Sequence, residues 1–131
     1  MRRFTIWILL LVLAGYCADR DLAGRYSGEW KSNSSGSGGA LHLTLDAAAD
    51  GTWKCEAGFM LEGAEIKTVM HEVKLQDSKL DVSYDFEIQG ASLRSHLTGE
   101  WNGSAFKGRY ETSLADGTAV DDGTWSASRA K

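Results

Sequence analysis

No stretch of this 131-residue chain is apolar for long enough to cross a bilayer as a helix. The longest candidate, Phe4 to Leu13, falls well short of the roughly 20 residues a span needs. Arg2 and Arg3 precede it, and the small residues Ala14, Gly15 and Ala18 follow. That order of charge, apolar run and small residues belongs to a secretory signal peptide. Residues 1–17 therefore read as a signal peptide, and residues 18–131 as one mature domain, secreted or periplasmic. Cleavage after Cys17 places Gly15 at −3, whereas cleavage after Ala18 would put bulky Tyr16 there. Two anchored alternatives stay open: a retained N-terminal segment, or a lipidated Cys17, although Tyr16 stands where lipoprotein signals carry a small residue.

Cysteine is scarce as well. Without Cys17 the mature chain has Cys55 alone, so no disulfide can staple it and packing must hold it. A basic excess is missing: without Arg2 and Arg3, 12 basic residues face 18 acidic ones. A chain near −6 with no Lys/Arg stripe is a poor partner for nucleic acid or, once the signal peptide is gone, for an anionic membrane. Catalytic and cofactor motifs are absent too: there is no Gly-x-Ser-x-Gly, no P-loop and no paired Cys motif. His71-Glu72 lacks the second His of a zinc-protease helix, and His42, His71 and His96 fall on different strands, so neither metal nor cofactor is expected. Cys55 is in phase with Trp53 and Phe59 and reads as a buried, inert thiol.

Helical periodicity is missing beyond residue 18, and what replaces it is alternation. Leu80, Val82, Tyr84, Phe86 and Ile88 are apolar, with Asp81, Ser83, Asp85, Glu87 and Gln89 between them. That is a half-buried strand. Similar runs recur, about eight in all, near 25–31, 40–46, 52–60, 66–76, 79–89, 92–101, 104–113 and 121–129. Asp50-Gly51, Gly90-Ala91, Asn102-Gly103, Asp116-Gly117 and Asp122-Gly123 supply turn signals. Ile66 and Val69 differ in parity and require a bulge. A sheet with one apolar face and no helix to cover it must curl onto itself. The predicted fold is all-β, an antiparallel up-and-down barrel of about eight strands, with a two-sheet sandwich as the alternative.

Turn chemistry also predicts register. A two-residue turn at Asn102-Gly103 sets Gly99 opposite Phe106 and Ser95 opposite Tyr110. A turn with Gly90 first sets Phe86 opposite Ser95 and Val82 opposite Gly99. The inner rows then read large–small–large, and outside Arg94 lies between Glu87 and Glu111. One pair, Asp81 with Glu100, comes out wrong-signed. Around Asp77-Ser78 the same logic pairs Lys74 with Asp81 outside and His71 with Tyr84 inside.

A short word repeats: Gly28-Glu29-Trp30, Gly51-Thr52-Trp53, Gly99-Glu100-Trp101 and Gly123-Thr124-Trp125, echoed by Gly24-Arg25-Tyr26. With Gly-x-Trp in the first strand and Arg129 near the end of the last, the chain resembles the calycin superfamily, the avidin and lipocalin type of small secreted barrel. It is similar also to small barrel domains of bacterial secreted proteins. The resemblance implies structural roles for Gly28, Trp30 and Arg129, the arginine packing across the first-strand aromatic. It carries over no ligand, because neither the lipocalin disulfides nor a biotin-contact pattern is present.

The expected function is non-catalytic: a small, largely apolar ligand held in the barrel. His71, Tyr84, Ser95 and Tyr110 are the expected inward polar groups, and Trp53, Phe86 and Trp101 the apolar contacts. The alternative is an interaction or inhibitor module with a filled interior that meets a protein partner through its loops. An enzyme with an unrecognised site is the third reading. Interior volume separates the first two, a cavity below about 300 Å³ favouring the filled barrel.

Overall fold

A computed structural model describes residues 21–130; the expected signal peptide lies outside them. Nine antiparallel strands form one sheet: β1 (Gly24–Ser32), β2 (Gly38–Ala47), β3 (Trp53–Leu61), β4 (Ala64–Lys67), β5 (Val69–Gln76), β6 (Lys79–Ile88), β7 (Ala91–Trp101), β8 (Ala105–Leu114) and β9 (Ala119–Arg129). Their order is β4-β3-β2-β1-β9-β8-β7-β6-β5. The outermost strands, β4 and β5, are consecutive in the chain. Together they are the single run expected at 66–76. Its first half pairs with β3 and its second with β6. Thr68 marks the changeover and donates its hydroxyl to Ala57 O at 2.6 Å. The sheet is thus a nearly closed barrel, and the sandwich is excluded.

Alternation decides which residues fill it. Tyr26, Leu43, Leu45, Val82, Leu97, Phe106 and Trp125 are all buried. The strands approach most closely where glycine faces inward. A Cβ on Gly28 would fall inside the carbonyl of Ser126, and one on Gly108 inside that of Thr98. The indole of Trp125 lies over Gly99, and its Nε1 donates to Thr98 O at 3.1 Å and Arg109 O at 3.2 Å.

Register departs from expectation by two residues at two hairpins. Trp101 pairs with Phe106, Gly99 with Gly108 and Ser95 with Thr112. The connection is longer than two residues because Asn102 Oδ1 accepts from the backbone of Ser104 (3.0 Å) and Ala105 (2.9 Å), turning the chain through its own side chain. At the other hairpin Ile88 pairs with Ala91, Phe86 with Leu93 and Tyr84 with Ser95. There Gln89 and Gly90 take φ of 52° and 82°, so Gln89 occupies the left-handed corner expected of Gly90. Both slips are even, so every side chain keeps its face. They also remove the wrong-signed pair: Lys79 lies opposite Glu100, and Asp81 opposite Thr98. Arg94 makes a bidentate pair with Asp85 (2.6 and 3.1 Å) instead of bridging Glu87 and Glu111, and His96 meets Asp81 at 2.7 Å. Lys74 does lie opposite Asp81.

The two ends of the barrel differ. At one end Tyr26 packs edge to face with Trp101 and Phe106, which are tilted against each other, with centroids 5.1 to 5.8 Å apart. Arg129 lies over Tyr26 (5.4 Å) and Trp101 (5.7 Å) and donates to the carbonyls of Asp21 and Ala23. Tyr26 donates to Leu22 O at 2.5 Å. Leu22 is itself buried, so this end is filled. Replacing Gly108 with Ala is expected to lower stability by about 1–3 kcal/mol or more, because the methyl must displace backbone. Urea unfolding checks this; an unchanged midpoint would show that the strands can part at no cost.

Candidate functional site

The unfilled end is the one bearing the 33–37, 62–63, 89–90 and 115–118 connections. Below them is a cavity of about 150 Å³. Its apolar wall comes from Leu41, Phe59, Leu61, Phe86, Ile88, Leu93 and Leu97, with Trp30 and Trp125 at the side. The lining residues come from β1 to β3 and β6 to β9, where alternation brings the inward side chains nearest this end into one ring. Phe59 packs edge-on to Phe86 at 5.1 Å and to Trp30 at 6.1 Å, so the wall is rigid aromatic surface.

Polar groups collect on one side of the ring, on β6 to β9 and β1. Ser95 and Thr112 share a hydrogen bond of 2.6 Å. The Tyr84 phenol is placed beside Ser95, and burial pushes its pKa well above the usual phenol value. Tyr110 donates to Asp121 Oδ2 at 2.9 Å; burial, and then the neighbouring carboxylate, raise its pKa as well. Asp121 Oδ1 accepts from Ser32 (2.6 Å) and Ser34 (2.9 Å). No buried side-chain polar atom among the described residues is left without a partner.

Of the expected site residues, Tyr84, Phe86, Ser95 and Tyr110 do meet around this cavity. His71 does not. Register shifts between Met70 and Glu72, so Met70 takes the inward place opposite Tyr84 and His71 is thrown outward, exposed, into the field of Asp85. The bulge moved by this strand's change of partner thus removes His71 from the interior. Trp101 belongs to the filled end beneath Arg129, and Trp53 lies near that end, at the start of β3; neither lines the cavity. Trp30 is not the aromatic under Arg129. Its indole lies at the cavity and donates to Met60 O at 3.0 Å, while Tyr26 takes the place at the arginine.

Sequence reasoning missed Asp121 and Thr112. Asp121 is in phase with Trp125 and Ala127, a parity that marked it inward, but a carboxylate at a strand start reads as solvated. The register shift near Thr112 and Ser113 leaves Val120 unpaired beside it, 46% exposed at the mouth.

Among the described residues no three His, Cys, Asp or Glu side chains converge as a metal site requires. Cys55 is buried, and desolvation, with Glu56 and Asp46 adding repulsion, pushes its thiol up to about 12. Such a thiol is a poor nucleophile at neutral pH. Compared with protein-family models, curated proteins and solved structures, the chain matches none. The cavity is therefore interpreted from its own chemistry.

Burial of Cys55 has a consequence for stability. Below pH 9 the thiol is protonated whether the chain is folded or not, and its contribution is fully present. Between 9.0 and about 12 the unfolded chain releases the proton while the folded chain keeps it, so stability falls as pH rises. Urea midpoints measured across that range should decline, and Cys55→Ala should flatten the decline. An identical slope in the variant would show that the thiol ionises freely in the fold.

Proposed function

We propose that this is a non-catalytic binding protein of the secreted or periplasmic space, holding a small, largely apolar molecule at the open end of its barrel. The observation that carries this is the contrast between the ends: one filled by Tyr26, Trp101, Phe106 and Arg129, the other left as a cup of about 150 Å³ with aromatic walls and a polar rim. Volume sets the ligand class. Sites for drug-sized molecules run to about 300–1,000 Å³, whereas about 150 Å³ suffices for benzene. A long-chain lipid does not fit; a body of about one aromatic ring does.

A calycin-like reading accords with the filled end, where Arg129 packs across the first-strand aromatic Tyr26. That barrel type supports the binding hypothesis by analogy alone.

The second reading is an interaction module with a filled interior. The cavity lies below the roughly 300 Å³ that favours an ordinary ligand pocket. On the outer surface of β6 to β8 a groove of about 780 Å³ runs past Arg94, His96 and Glu111 to Val69, which is 72% exposed.

Native mass spectrometry of the protein purified from its own host separates the two. The first reading predicts an added small-molecule mass that disappears when Ile88→Trp fills the cup, with the melting temperature little changed. A bare chain that co-purifies with another protein supports the second.

A further inference from the structure

Among the described residues Asp121 is the only charged one lining the cup. Three hydroxyls hold it: Ser32 and Ser34 on Oδ1, Tyr110 on Oδ2. They come from β1, the following connection and β8, so the carboxylate is fixed from three directions while β9 carries its backbone. A carboxylate offers about four lone-pair sites, so one remains free. The ion pairs formed among the described residues, those of Glu65, Glu72, Asp85 and Asp81, do not include it. A half-buried anion hydrogen-bonded only by neutral groups, on the rim of an apolar cup, attracts a cation and repels an acid. The rings of Trp30 and Tyr110, 6.1 Å apart beside it, add aromatic surface to which a cation is drawn.

We propose that Asp121 anchors the ligand's head and that the ligand is a small protonated amine carrying an apolar body of about one ring, seated between Phe59, Phe86 and Leu93. This rests on the cup being a ligand site, and it narrows that reading from any small apolar molecule to an amphiphilic cation. The ammonium donates one hydrogen bond to the free lone pair of Asp121, and the ring enters the space below. Fatty or aromatic acids of the same size are rejected by like charge.

Calorimetric titration of the mature protein at neutral pH with benzylammonium, benzyl alcohol and benzoate tests this. Expected is binding of benzylammonium at least about tenfold tighter than benzyl alcohol, with benzoate weakest. In Asp121→Asn, checked by near-UV circular dichroism, that preference collapses to within about twofold. Should the variant fail to fold, wild-type titrations in rising salt replace it: benzylammonium binding must weaken and benzyl alcohol binding must not. Equal binding of cation and alcohol overturns the role of Asp121 and leaves the cup as a ligand site. A preference that survives Asp121→Asn also overturns it. Binding of none of the three overturns the cup and the anchor together.

Discussion

At Gly28 and Gly108 the strands lie so close that no side chain fits between them on the inner face. This close approach coils the sheet tightly enough for its single apolar face to enclose itself, without helix or disulfide. Large rings occupy the space the glycines leave. Trp125 lies over Gly99, and Phe106, paired with Trp101, packs against Tyr26. At one end Arg129 covers Tyr26 and Trp101 and ties the last strand to the carbonyls of Asp21 and Ala23.

The other end follows from the same geometry. Toward the open end Phe59, Phe86 and Leu93 ring a space that they do not fill. The buried hydroxyls there all have partners, Ser95 with Thr112 and Tyr110 with the Asp121 carboxylate, so the cup keeps its shape without a ligand. An unpaired buried hydroxyl would cost about 1–3 kcal/mol, which explains why polar groups occur here in partnered sets. The barrel therefore has a cation at its filled end and an anion at its open one.

Much of this was legible from alternation. Period two in segments such as Leu80 to Ile88 set which residues face inward, and errors of register in steps of two left that set intact. Partners were less legible. Asn102-Gly103 has the letters of a two-residue turn, yet the Asn side chain captures two backbone amides and lengthens the connection. Gln89 with φ of 52° has no sequence signature at all. His71 was lost for a different reason: the need for a bulge was visible in the parity of Ile66 and Val69, but its position depended on how the barrel closes. The run 64–76 serves two partners, and the extra residue falls at Met70 to Glu72. Asp121 was hidden because an inward carboxylate makes sense only once Ser32, Ser34 and Tyr110 are known to surround it.

The claim on which all of this turns is that the interior is filled at one end and hollow at the other. Xenon pressurisation of crystals of the mature protein tests it most directly, since xenon enters apolar voids of this size. Expected is one interior xenon, among Phe59, Phe86 and Leu93, and none between Tyr26 and Phe106. Xenon beneath Arg129, or an interior that admits none, would contradict the claim.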